Sequence, residues 1–68
     1  MTPRQRAGSA ARHLGAAANH TRAGEALLHG ASGPAIARIR QALGAQHLRL
    51  RRAEREMEAL QQTLAVSE

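Results

Sequence analysis

Apolar residues in the second half of the chain recur with alternating spacings of three and four. The two positions of this heptad repeat are occupied, in chain order, by Ile36, Ile39, Leu43, Gln46, Leu50, Ala53, Met57, Leu60 and Leu64. We call a the position that begins at Ile36 and d the position that begins at Ile39. This spacing over four heptads is typical of a helix that packs along one seam against another helix. It predicts a long amphipathic helix over residues 35–65, with a tail over residues 66–68.

A thinner stripe with the same spacing runs through the first half. Its members are Ala7, Ala11, Leu14, Ala18, Thr21, Glu25 and Leu28. Thr2 can cap a helix, Pro3 suits the first helical position, and Gln5 stands where a capping box needs it. Glycines inside a helix cost about 1 kcal/mol each relative to alanine. Residues 1–29 are therefore predicted to form a weak Ala/Gly/Arg-rich helical segment, with a break near residues 19–21.

The clearest joint in the chain lies at residues 30–34. Gly30 and Gly33 are suited to ending a helix, and Pro34 is suited to beginning the next one. A short loop favours antiparallel neighbours. The sequence thus predicts an all-α fold, a two-helix antiparallel hairpin with a long C-terminal coiled-coil-type helix. The seam can pack on the first helix, on another molecule, or on both if two hairpins dimerise into a bundle.

Composition limits both the core and the chemistry. The chain has 68 residues, with no aromatic residue and no cysteine. A domain of this size buries only about 60% of its unfolded surface, so we expect association to contribute to its stability. His13 and His20 lie too far apart along a helix to hold one ion within one chain. We expect no catalytic residue, no metal site and no cofactor, and hence no enzyme activity.

Charge is distributed unevenly along the second helix. Residues 35–52 carry five arginines and no acid, whereas residues 53–68 have a net charge of −3. This order opposes the helix dipole, so recognition of a partner explains it better than helix stability does. Four residues are expected to steer orientation, namely Arg49, Arg51, Arg52 and Glu54. Arg49 and Glu54 would meet across a parallel dimer, but the direction of pairing stays open.

These features predict a small non-catalytic helical binding protein, such as an adaptor, an assembly subunit or a chaperone. It would dock the nine a and d residues on helices of another protein, and it could also form a homo-oligomer. The alternative is a basic helical protein that binds RNA or DNA, because the run from Arg49 to Arg52 can contact phosphates. Aromatic residues for base stacking are absent, and a membrane partner is not expected.

The N-terminal segment bears on localisation. No secretory signal is recognisable, and a cytoplasmic location is expected. Residues 1–24, however, are rich in arginine and contain no acid. This composition also occurs in mitochondrial transit peptides, so the mitochondrial matrix is the alternative location.

Overall fold

The computed structural model describes residues 1–67, and within that range it contains two α-helices and no strand. Helix α1 spans Pro3–Leu27 and helix α2 spans Pro34–Ser67. The helices pack along their length, and the Cα atoms extend over 53 × 15 × 12 Å. Residues early in α1 contact residues late in α2, so the helices run antiparallel. The predicted all-helical hairpin is confirmed.

Helix α1 begins with the predicted capping box. The backbone N–H of Gln5 donates to the Thr2 hydroxyl oxygen at 3.1 Å, and the backbone N–H of Thr2 donates to the Gln5 side-chain oxygen at 2.9 Å. Pro3 occupies the first turn, where its missing N–H costs nothing. These contacts satisfy donors that have no partner inside the helix. The predicted start of the first helix is therefore confirmed.

The predicted break near residues 19–21 is wrong, because α1 is continuous from Pro3 to Leu27. Within this segment, the Thr21 hydroxyl donates to the carbonyl oxygen of Ala17 at 2.8 Å. Packing against α2 offsets the poor intrinsic helix propensity of the glycines, since tertiary contacts supply most helix stability in proteins. The helix ends two residues before the predicted boundary at residue 29.

The connection between the helices uses both glycines in conformations that other residues rarely adopt. Gly30 has a φ of 88° and Gly33 a φ of 117°. Such angles carry little steric cost only when Cβ is absent. Pro34 then opens α2, which continues to Ser67 and so includes most of the predicted tail. The helices are connected through residues 28–33, where residues 30–34 were expected, and α2 is longer at both ends than the predicted 35–65.

The core between the helices is small. Its buried apolar residues are Ala7, Ala11 and Ala18, all from α1. No residue of α2 is buried in the described part of the chain, and no large side chain there is fully buried. The rest of the predicted α1 stripe is half-buried. The small side chains of α1 allow close approach of α2, but they leave the larger apolar residues of α2 only partly covered.

Candidate helix-docking face

The hairpin does not use the predicted a and d seam as a single unit. The a residues are all half-buried. Among the d residues, Ala53 is half-buried, whereas Ile39, Gln46 and Leu60 are exposed. The side chains that pack on α1 beside the a residues come from the e position, four residues after each a. They are Arg40, His47, Glu54 and Gln61, all half-buried. Three of the four d residues are therefore left on the surface of the hairpin.

Two glycines of α1 make room for two of these polar side chains. A Cβ added at Gly8 would lie 2.6 Å from Nε2 of Gln61, and one added at Gly15 would lie 3.2 Å from Cδ of Glu54. Both distances are too short for undisturbed packing. The glycines are thus contact positions, a role that the sequence analysis missed. A sequence signal existed, because the two glycines and their two partners are each seven residues apart.

Polar side chains of α2 form hydrogen bonds with α1 along one edge of the hairpin. The His47 ring nitrogen Nδ1 lies 3.0 Å from the carbonyl oxygen of Ala18, which can only accept, so the nitrogen donates. The Arg51 guanidinium donates to Oδ1 of Asn19 at 2.6 Å and to Oε1 of Glu54 at 2.8 Å. We call this side of the helix pair the polar edge.

The opposite edge is apolar on both helices. Leu14 precedes Gly15 by one residue, and Ala53 precedes Glu54 by one residue, which places each about 100° back around its helix. Because the helices are antiparallel, these two rotations lead to the same side of the hairpin. We call this side the apolar face. Its large residues are Leu14, Leu28, Ile36, Ile39, Leu43, Leu50, Met57, Leu60 and Leu64.

Exposure is greatest along the d line of this face. Ile39 retains 47% and Leu60 retains 45% of its accessible surface. Leu48, which is 69% exposed, lies about 180° from Ile39 and about 120° from Leu60 around α2, away from both. The d position also contains Gln46, which is exposed on the surface, and the half-buried Ala53. Ile39 and Leu60 thus share a side of α2 with the half-buried a residues, whereas Leu48 is a separate exposed side chain.

The four expected steering residues fall into two groups. Arg51 and Glu54 form an ion pair with each other inside the hairpin. Arg49 and Arg52 are exposed, and neither forms an ion pair with any residue in the range 1–67. Glu54 is thus already bound by Arg51 and half-buried against α1. This placement removes Glu54 from the surface where Arg49 would have met it in a parallel dimer.

Other chemistry is sparse on the described surface. No three metal-binding side chains among residues 1–67 lie close enough to hold an ion. An open cleft of about 450 Å³ near the turn is lined by Arg22, Glu25, Ala26, His29 and Arg40. Within it, the Nε atom of Arg40 is buried without a hydrogen-bond partner. Neither described helix has an apolar stretch that could cross a membrane.

Comparison with known proteins adds no further assignment to these features. No protein-family model, no curated protein and no solved structure matches the chain significantly.

Proposed function

We propose that the protein is a non-catalytic binding protein that docks its apolar face on helices of another protein molecule. The observation that supports this most directly is the exposure of Ile39 and Leu60 beside half-buried a residues. A hairpin whose buried apolar residues are three alanines has little core of its own. Large apolar side chains exposed together on one side of a soluble protein mark interaction sites.

The energy available from docking is substantial for so small a chain. Fully burying a leucine or isoleucine contributes about 1.5–3 kcal/mol relative to leaving it in water. Ile39 and Leu60 still expose nearly half of their surface. Each would therefore contribute about 1 kcal/mol on docking, and the half-buried a residues would add to this. Part of this gain is offset by the entropy lost on association.

The test compares two leucines of α2 that differ in the side of the helix they occupy. Leu60→Asp places a charge on the apolar face, whereas Leu48→Asp places the same charge on the other side. Leu60 is 45% exposed and Leu48 is 69% exposed, so neither belongs to the buried core of the hairpin. Tagged wild-type protein and both variants are recovered from source cells, and the bound proteins are quantified. Circular dichroism verifies that helicity is equal.

We expect wild type and Leu48→Asp to recover the same protein in a fixed ratio, and Leu60→Asp to lose it. The loss follows because an unpaired carboxylate buried in an apolar contact costs several kcal/mol. A protein partner should also survive nuclease treatment. Equal binding by the two variants would show that the apolar face is not the docking surface.

A second candidate function, nucleic-acid binding, is supported by a line of exposed arginines. Arg38, Arg49 and Arg52 are all exposed and lie within about 60° of each other around α2. No ion pair within residues 1–67 occupies any of them, so all three could contact phosphates. Replacing the three by glutamine should abolish nucleic-acid binding without changing helicity. If the bound protein is recovered equally at high salt and after nuclease treatment, this candidate is ruled out.

A further inference from the structure

We infer that the mate of the apolar face is a second copy of this chain, with the two α2 helices antiparallel in a four-helix bundle. This inference rests on the proposed function, because it names the partner of the same surface. It is carried by two independent observations. One is the area that the hairpin leaves exposed, and the other is the arrangement of charges beside the d line.

The hairpin exposes more surface than a compact protein of its mass, and the excess is about the area that a stable dimer would cover. The hairpin exposes 5074 Å². A compact protein of 7.3 kDa is expected to expose about 4,200 Å². The excess of about 900 Å² is close to the roughly 800 Å² that each partner contributes to a standard interface. Covering an interface of that size would bring the surface exposed per chain down to about 4,200 Å².

The apolar residues fit an antiparallel pairing of α2 with its copy. In such a pair, each a residue of one helix lies in a layer with a d residue of the other. A twofold axis between residues 51 and 52 places Leu43 with Leu60 of the second copy and Leu64 with Ile39 of the second copy. The exposed d residues are then covered by half-buried a residues. Gln46 falls beside Met57 of the second copy, where a flexible side chain can accommodate it.

Charge selects the antiparallel direction over the parallel one. The g position, which precedes a by one residue, contains Arg49 and Glu56, both exposed. Across an antiparallel seam g lies opposite g, so this register brings Arg49 of each copy to Glu56 of the other. A parallel pair would instead need Glu54, which is bound by Arg51 in the hairpin. It would also place the two basic halves of α2 side by side.

The direction of pairing can be read from single cysteines, because the chain has none of its own. Ala53→Cys lies beside the proposed axis, whereas two copies of Gln46→Cys would be about 17 Å apart along the helices. With a short thiol-specific bis-maleimide, we expect cross-linked dimer from Ala53→Cys and none from Gln46→Cys. Cross-linking at both positions would indicate a parallel dimer and overturn the inference. Absence of cross-linking at both would overturn it as well.

Sedimentation equilibrium of the full chain supplies the second readout. Wild type should sediment as a dimer, and Arg49→Glu should weaken dimerisation about tenfold, because two exposed pairs per dimer become repulsive. Arg49→Glu combined with Glu56→Arg should restore it, whereas Arg52→Glu, with the same change in charge, should have little effect. A monomeric wild type, or no rescue by the double variant, contradicts the inference. A monomer that still binds another protein through Leu60 would leave the proposed function intact.

Discussion

The close approach of the helices at Gly15 gives a quantitative prediction about the glycines of α1. Replacing a helical glycine by alanine normally stabilises a helix by about 1 kcal/mol. At Gly24 an added Cβ would meet nothing within 4 Å, so Gly24→Ala should gain this full amount. For a domain of this size, the gain corresponds to a rise in Tm of about 4–8 °C.

At Gly15 the same substitution should gain almost nothing. An added Cβ would press on the Glu54 carboxylate and displace it from its position beside Arg51. The lost ion pair and the disturbed packing of the half-buried Glu54 side chain together cost about 1 kcal/mol, which offsets the gain in helix propensity. We expect the unfolding free energy of Gly15→Ala to lie within about 0.5 kcal/mol of wild type.

A double-mutant cycle separates these two effects. In a Glu54→Ala background no carboxylate lies over Gly15, so Gly15→Ala should now stabilise by the full ~1 kcal/mol. The assay is thermal unfolding followed by circular dichroism at 222 nm, at one fixed protein concentration because association shifts Tm. The reasoning would be refuted if Gly15→Ala stabilised as much as Gly24→Ala and did so regardless of residue 54.

Two further substitutions test local features of the hairpin. Thr2→Ala removes the capping box and should lower the unfolding free energy, measured by urea titration, by about 1 kcal/mol. Thr63→Ala changes an exposed threonine inside α2 and should not lower it. Equal losses in the two variants would show that the cap does not stabilise the hairpin. Gly33→Ala should destabilise by about 1 kcal/mol because its φ is 117°, and an unchanged Tm would show that the turn tolerates Cβ there.

The hairpin could be predicted from the sequence because the signals that specify its helix ends and its turn are local. The capping box at Thr2, the glycines of the turn and Pro34 each act through neighbours within a few residues. The small stripe of α1 was also predicted correctly, since burial at helical spacing needs no knowledge of the partner helix.

The pairing between the helices was harder to predict, because it depends on which side of each stripe faces the other helix. The heptad pattern favours packing through a and d, but the small residues of α1 let polar e side chains pack beside the a residues in place of most d residues. Gly15 thus accommodates Glu54, and the Ala18 carbonyl accepts a hydrogen bond from His47. These contacts join residues that are far apart in the sequence, so helix propensity does not predict them. For the same reason α1 is continuous where its glycine content predicts a break.

The most direct test of the central claim, that the apolar face is covered by helices of another molecule, is site-specific photo-cross-linking in the source cells. A benzophenone amino acid is placed at residue 60 in one sample and at residue 48 in the other. We expect an adduct of defined mass from residue 60 and none from residue 48. The adduct has twice the chain mass if the mate is a second copy. Adducts of equal yield from both positions, or none from residue 60, would contradict this claim.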